Sequence, residues 1–232
     1  MASDLTIAKL YDFIIGDFED AWNALAASNQ ASCRGNFLFA RQAMTLLELV
    51  CRLCESDNTG QALRDLSAEL AGRDSRYFSL LPGSCWTPTN QPEFHLPSQG
   101  PNPEAQLIAA LFDLIRNGQA HQYQQIKARL TDGRDFLFSL TGAEYGLSLG
   151  QSLARARPPE HLRAREDASG DLYVKVCTDV LFIDIREAIN AAGLLGRGLT
   201  FTYLLRPRTP GSPNYQFSSV ALEASLRTGG HF

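Results

Sequence analysis

The chain has 232 residues and a formal net charge of −4 at pH 7; 44% of its residues are hydrophobic and 20% are charged. These values are typical of a globular protein with a substantial core, built as one large domain or as a domain with an appendage. The acidic balance and the lack of an extended basic run count against tight, sequence-independent binding of long nucleic acid, which depends on phosphate neutralisation. They leave room for a nuclease with a small local basic site.

The compartment is also indicated by composition. The N-terminus, Met1-Ala2-Ser3-Asp4, lacks the basic region of a signal peptide. No apolar run approaches the ~20 residues that a membrane helix needs. The five cysteines have no regular spacing, which is typical of reduced thiols. We therefore expect a cytoplasmic protein without a membrane segment.

Apolar residues at a helical period predict a first helix over residues 4–27 and a second over residues 36–55. The second helix is apolar nearly all round, which places it at the centre of a bundle or at a subunit interface. It carries one polar stripe, made of Arg41, Thr45, Glu48 and Arg52. This stripe is either a solvated edge or the lining of a polar pocket.

A CxxC pair, Cys51 and Cys54, lies inside the second helix. Zinc ribbons and fingers need a second pair of ligands, and none is spaced correctly in this chain. Redox CxxC motifs lie at a strand-to-helix junction instead. We interpret both cysteines as small core residues, and we expect no metal and no cofactor.

A third helix is predicted over residues 59–81, with Leu63, Leu66 and Leu70 on its core face and Gly72 as a point of interruption. An irregular connection over residues 82–103 follows, rich in proline. Connections this long inside a compact domain are either functional or flexible.

The longest helical pattern begins at Pro103, after the N-cap residue Asn102, and runs to about Leu130 before the stop signal Thr131-Asp132-Gly133. Its predicted core stripe consists of Ile108, Leu111, Phe112, Ile115, Ile126 and Leu130.

Asn117 and His121 lie one turn apart on another side of this helix, well over ~100° from the centre of the core stripe. Arg116 flanks them, and its long stem allows its head to reach both. Gly118 costs roughly 1 kcal/mol relative to Ala in a helix, which indicates close approach of something at this turn. The same side carries Leu107, Ala110 and Leu114, so we expect it to contact another helix or another subunit.

The C-terminal segment has a different pattern. Residues 136–140 and 172–176 are predicted strands, and residues 155–169 are a predicted exposed excursion. A fourth long helix is expected over residues 179–192. Strands at 200–205 and 217–226 form a predicted hairpin with a long tip. The predicted fold is therefore mainly α: an antiparallel bundle over residues 1–132, followed by a smaller α+β segment over residues 133–232, either separate or packed on the bundle as one domain.

Arg116, Asn117 and His121 form an Arg-polar-xxx-His arrangement in a late bundle helix, and this resembles the motif of the HEPN superfamily. The resemblance covers roughly residues 1–130. Members are small antiparallel helical bundles, and many are metal-independent ribonucleases whose site forms across a homodimer. Enzymes of the family often place an acidic residue near the Arg/His pair. Glu48 is the candidate for that role here, with Arg41 and Arg52 as possible supporting residues on the same stripe.

The resemblance implies a metal-independent endoribonuclease in which the ribose 2′-hydroxyl attacks the phosphate and leaves a 2′,3′-cyclic phosphate. His121 titrates near neutrality and can act as base or acid. Arg116 offers a planar, permanently charged fork to the phosphate oxygens. Asn117 can orient His121 or bond the scissile group. The expected partners are a second copy of the chain and RNA, with an antitoxin protein as a candidate in a toxin–antitoxin or defence role.

The alternative is a non-catalytic helical module that dimerises and binds a partner protein or a nucleotide. In this case the motif is a polar interface. The acidic balance of the chain favours this alternative, whereas the intact Arg-Asn-xxx-His arrangement favours the ribonuclease.

Overall fold

The computed structural model describes residues 7–28, 35–54, 61–79, 107–111, 115, 127–129, 134–142 and 145–197. Over these residues the chain is mainly helical and also forms a four-stranded sheet. The prediction of a mainly α protein with a smaller β component is confirmed at this level. None of the described helices is both long and apolar enough to cross a bilayer.

The first two helices form where the apolar period predicts them. Helix α1 spans Ile7–Ala27 and α2 spans Asn36–Cys54. Each side chain that α1 buries lies four or seven residues from the next, on one stripe; these residues are Ile7, Tyr11, Phe18, Trp22 and Ala26. Helix α2 contacts helices and strands on several sides, which accounts for its nearly all-round apolarity.

Helix α3 spans Gln61–Arg73, so it is interrupted one residue after Gly72, where the sequence indicated a break, and residues 75–78 do not continue it as an α-helix. Asp74 ends it, because its backbone is extended, with φ −154° and ψ 104°, and its side chain accepts a hydrogen bond from the Arg76 amide. This cap starts a 3₁₀ turn, Ser75–Phe78, which buries Tyr77 and Phe78. A short helix, α4, spans Leu107–Leu111.

The sheet has the strand order β1-β2-β4-β3. Its two central strands, β2 (Asp135–Thr141) and β4 (Leu172–Cys177), are parallel, and both were predicted from sequence. The outer strands, β1 (Lys127–Arg129) and β3 (Ala164–Glu166), are short and antiparallel to their neighbours.

Strand β1 overturns one boundary of the longest predicted helix. That helix was expected to reach Leu130, but residues 127–129 pair with residues 135–137 of β2. Backbone hydrogen bonds to a neighbouring strand replace helical ones here, so residues 127–129 are not helical. Ile126 and Leu130, which were assigned to its core stripe, lie outside the described residues.

The segment between Ala154 and β4 corrects a second expectation. Helix α5 (Leu149–Ala154) has a capping box between Ser148 and Gln151. The predicted exposed excursion over residues 155–169 is wrong at His161 and Leu162, which are buried. The Leu162 amide donates to the Lys175 carbonyl at 2.7 Å, which holds the chain against β4. Residues 163–169 are exposed.

Helix α6 (Thr178–Ala191) follows β4 directly, as predicted, and Gly193 ends it in the left-handed region with φ 64°. It packs on α2 and α3, and Phe182 stacks on Phe18 of α1 with ring centroids 3.4 Å apart. The hydrophobic core is therefore shared between residues before and after 132. The predicted connection over residues 82–103 and the predicted hairpin over residues 200–226 lie outside the described residues.

Candidate functional site

The motif residues Arg116, Asn117 and His121 lie outside the described residues, but the helix pattern that leads into them is partly described. Ile108, Leu111 and Ile115 of the predicted core stripe are all fully buried. Leu107 and Ala110, on the predicted second face, are buried as well, and the Leu107 amide donates to the Ser79 carbonyl at 2.9 Å. The chain itself therefore covers the start of the face that was expected to meet a helix or a subunit.

The polar stripe of α2 reaches the surface. Thr45 is exposed, and Arg41 and Glu48 are each half-buried. Arg52 belongs to the same helix, but its side chain lies outside the described part of the structure. The stripe is thus accessible along part of its length.

A buried polar cluster that was not predicted lies between the 3₁₀ turn, the chain before β3, and α6. We call it the Asp184 cluster; its members are Asp74, Arg76, Tyr77, Arg157, His161 and Asp184. The Arg157 guanidinium donates to both carboxylate oxygens of Asp184, at 2.8 and 2.5 Å, and to Asp74 Oδ2 at 3.3 Å. The Asp184 side chain is 2% exposed and that of Arg157 is 33% exposed. This bidentate pair anchors the chain before β3 to α6.

His161 extends the cluster inward. Its Nδ1 accepts a hydrogen bond from the Cys177 amide at 3.0 Å, which assigns the ring proton to Nε2. Nε2 lies 3.3 Å from the Tyr77 hydroxyl, and this hydroxyl donates to Asp184 Oδ2 at 2.8 Å. The hydrogen bonds therefore run in one direction, from the Cys177 amide through His161 and Tyr77 to Asp184.

Burial and neighbouring charges keep His161 and Tyr77 uncharged at neutral pH. Burial, followed by the Arg157 charge, lowers the pKa of His161 from 6.5 to about 3. Burial and the Asp184 carboxylate raise the pKa of Tyr77 well above its usual value of 10. Burial raises the pKa of Asp74, but the hydrogen bonds and charge of Arg76 outweigh it, so the pKa is lowered. At neutral pH His161 is therefore uncharged, and both of its ring nitrogens have hydrogen-bond partners inside the chain.

One sequence signal marks this cluster in retrospect. Asp184 lies three residues after Leu181 and four before Ala188, both fully buried, so it falls on the core stripe of a helix that was predicted correctly. A carboxylate on a core stripe needs a cation close by. The local sequence does not show which cation pairs with Asp184, because Arg157 lies 27 residues away along the chain.

The carboxyl ends of β2 and β4 form a second polar region. In sheets with parallel strands this edge is a common place for ligands. Here it is filled: a Cβ at Gly142, where φ is +136°, would lie 2.7 Å from Thr178 Oγ1 and 3.1 Å from the Trp22 ring. Thr178 Oγ1 donates to the Thr141 carbonyl at 2.9 Å, and Arg155 binds Asp179 at 2.8 Å. Among the described residues, Gly142, Thr178 and Trp22 pack closely at this edge.

In the described part of the chain, no group of three or more His, Cys, Asp or Glu side chains is arranged to hold a metal ion. No protein family, no curated protein and no solved structure matches this chain.

Proposed function

We propose that this chain is a metal-independent endoribonuclease of the HEPN type, with an antiparallel bundle that carries Arg116, Asn117 and His121 as its catalytic residues. The observation that carries the proposal is the spacing of these three residues in the sequence. One cation, one amide and one imidazole fall within six consecutive positions, which is the set of groups that cleavage through the 2′-hydroxyl requires.

The chemistry assigns a role to each side chain. His121 takes the proton of the ribose 2′-hydroxyl as the oxygen attacks phosphorus. The imidazolium that results returns the proton to the 5′-oxygen as its bond to phosphorus breaks. Arg116 stabilises the extra negative charge of the phosphorane through two parallel hydrogen bonds. Asn117 orients the imidazole or bonds the scissile group. The products are a 2′,3′-cyclic phosphate and a 5′-hydroxyl.

Two features of the described residues support the proposal. First, Ile115 is fully buried and immediately precedes Arg116, which fits a helix with its core side on the stripe of Ile108, Leu111 and Ile115. Residues 116–126 then suffice for the single turn between Asn117 and His121. Second, the neighbours of His161 hold it neutral and fully bonded, so it does not compete for the role of the base.

We further propose that the site forms across a homodimer in the cytoplasm, with an antitoxin protein as a candidate partner. The burial of Leu107 and Ala110 removes one reason for expecting a dimer. Exposed apolar side chains on α1 and α2 are another reason for expecting a dimer: Phe13 is 70% exposed, Phe37 is 50% exposed and Leu38 is 57% exposed. Light scattering of the purified chain should show a dimer at micromolar concentration, and a monomer there would contradict this part.

The second candidate is a non-catalytic dimeric helical module that binds a partner protein or a nucleotide. The net charge of −4 favours it, because a protein that processes long RNA gains affinity from a basic surface. The relation of the two His121 side chains in a dimer discriminates between the candidates: one shared cleft with both Arg116 heads favours catalysis.

The direct test is incubation of the purified protein with mixed RNAs, with and without EDTA. We expect cleavage in both, fragments that end in a 2′,3′-cyclic phosphate, and a pH dependence around the ordinary imidazole pKa of ~6.5. Arg116→Lys should be severely impaired, because an ammonium group cannot reproduce the bidentate fork. Cleavage that stops with chelator, or no cleavage of any RNA, would leave the binding module as the better candidate.

A further inference from the structure

Two arginines attach the chain before β3 to helix α6. Arg155 binds Asp179 in the first turn of α6 at 2.8 Å, and Arg157 binds Asp184 in the middle of the helix at 2.8 and 2.5 Å. We call residues 155–162 the strap. The strap therefore crosses α6 and is attached to it at two points.

The far end of the strap lies on strand β4. The Leu162 amide donates to the Lys175 carbonyl at 2.7 Å, and the Cys177 amide donates to His161 Nδ1 at 3.0 Å. Leu162 has φ 58° and is the only non-glycine residue in the described part of the chain with a positive φ. Residues with a side chain rarely adopt this conformation, so the closed strap carries backbone strain that its release relieves.

Apolar packing holds the strap at this end only. His161 and Leu162 are buried, whereas residues 155–160 are half-buried or exposed. The ion pairs involve the side chains of Arg155 and Arg157, which are 22% and 33% exposed. Release of the strap solvates both partners of each ion pair, so no charge is left buried alone. A segment with few buried apolar contacts opens locally at a lower free energy than the core does.

The pocket of His161 fits the neutral imidazole. The side chain is fully buried, and Nδ1 already accepts the proton of the Cys177 amide. Nε2 lies 3.3 Å from the Tyr77 hydroxyl, which donates its own proton to Asp184. A second proton on the ring would have to bind Nδ1, where one N–H group would then face another. The closed strap therefore offers no acceptor for this proton.

Several ionisable groups face His161. They are Asp74 and Arg76 at the cap of the 3₁₀ turn, Tyr77 in the turn, Asp184 on α6, Cys177 at the end of β4, and Arg155 and Arg157 on the strap. Burial, followed by the Arg157 charge, lowers the pKa of His161 to about 3, and Asp74 opposes this shift. Burial raises the pKa of Tyr77 and of Cys177, so both stay protonated below neutral pH, and arginines stay charged.

We propose that the strap is an acid-sensitive switch, which opens as a unit from α6 and β4 while the helices stay folded, and that His161 takes up a proton in the open form. Opening exposes the Tyr77 hydroxyl and the Asp184 carboxylate, and it frees the Arg157 guanidinium. The switch does not depend on the proposed ribonuclease function, because the strap contains none of its catalytic residues.

The ordinary imidazole pKa sets the size of the response. A histidine that is protonated only in the open form multiplies the opening constant by a factor that depends on pH. For a pKa of ~6.5 this factor is about 1.1 at pH 7.5 and about 30 at pH 5. The strap should therefore open about thirtyfold more often at pH 5 than at pH 7.5.

Amide hydrogen exchange followed by NMR measures this opening residue by residue. The reporters are the amides of Leu162 and Cys177, which lose their acceptors when the strap opens. The references are the amides of Met44 and Leu47, two fully buried residues in the middle of α2. The protection factor, which is the intrinsic exchange rate divided by the measured rate, should be at least about tenfold lower at the reporters. Urea below the unfolding transition should lower it at the references only, because local opening exposes little surface.

The pH response is measured on the same amides. Between pH 7.5 and 5 the protection of the reporters should fall about thirtyfold in the parent, and less than about threefold in His161→Gln. His121→Gln, the same substitution at a histidine outside the strap, is the matched control and should keep the full response.

Three results would overturn the inference. The first is equal protection at the reporters and the references, which means that the strap opens only when the whole fold does. The second is a pH response under about threefold in the parent, and the third is an unchanged response in His161→Gln. If His161→Gln does not fold, the parent alone still decides the first two.

Discussion

Two polar regions of this protein contain the same residue types in opposite environments, one buried and one at the surface. In the Asp184 cluster, Tyr77 is fully buried and its hydroxyl donates to a carboxylate that Arg157 also binds. On the outer face of the sheet, by contrast, Tyr173 is half-buried and its cross-strand neighbour Arg165 is exposed. A tyrosine and an arginine that are bonded to a buried carboxylate contribute more to stability than the same residue types at the surface.

The difference follows from the elements that carry the residues. The 3₁₀ turn after α3, the chain before β3 and helix α6 converge on Asp184, so its carboxylate is desolvated and must be matched by donors. Tyr173 and Arg165 lie on the side of the sheet opposite the buried Phe138 and Val174. Substitutions in the cluster should therefore change stability more than substitutions on the outer face of the sheet.

The largest expected effect on stability comes from Asp184→Asn. The neutral amide cannot hold the Arg157 charge, and the Tyr77 hydroxyl loses its carboxylate acceptor. Breaking a buried charge pair costs ~3–5 kcal/mol, and we expect about 3 kcal/mol here because Arg157 is one-third exposed. Urea unfolding measures the loss. Glu166→Gln, which removes the exposed partner of Arg134, should cost under about 1 kcal/mol. Equal losses in both variants would contradict the contrast between the regions.

The next effect is a dependence of stability on pH. The pKa of His161 is about 3 when folded and 6.5 when free, so between these values the unfolded chain binds the extra proton. The contribution of neutral His161 to the free energy of unfolding is fully present above pH 6.5. It is lost as the pH falls towards 3, by up to about 1.4 kcal/mol per pH unit. His161→Gln should flatten this slope between pH 6.5 and 4.5, above the range in which the carboxylates titrate. Parallel slopes for the two proteins would show that His161 is not buried neutral.

The smallest effect concerns the cysteines of α2. Cys51 is buried and belongs to the hydrophobic core. Replacing Cys51 and Cys54 together by Ala should change stability modestly, and added zinc should shift the melting temperature of neither protein. Elemental analysis provides the check: stoichiometric zinc in the parent that disappears with the double substitution would overturn the interpretation of both as core residues.

Local patterns were sufficient for much of the fold. Helices α1, α2 and α6 and strands β2 and β4 have apolar periods that are complete within each element, so their bounds follow from the sequence to within a few residues. The end of α3 had a local signal as well: Gly72 indicates an interruption, and Asp74-Ser75 is a cap sequence.

The features that sequence reasoning missed depend on distant partners. Strand β1 has only three residues, Lys-Ala-Arg, which is too short for a pattern to identify it, and its pairing with β2 defines it. Arg157 and His161 lie in a polar, proline-containing stretch that is typical of an exposed loop. The ion pair of Arg157 and the burial of His161 depend on Asp184 and Tyr77. The motif of Arg116, Asn117 and His121 remains a prediction from residue spacing, because these residues lie outside the described part of the structure.

The most direct measurement compares RNA cleavage by two histidine variants, His121→Ala and His161→Gln. We expect His121→Ala to lose ~10²–10⁴-fold of the cleavage rate, the usual contribution of an acid or base, while its melting temperature stays near that of the parent. His161→Gln should do the opposite: a lower melting temperature, with near-parental cleavage per folded molecule. A loss under tenfold in His121→Ala, or a comparable loss of rate in His161→Gln at a temperature where it is folded, would contradict the assignment of the chemistry to His121.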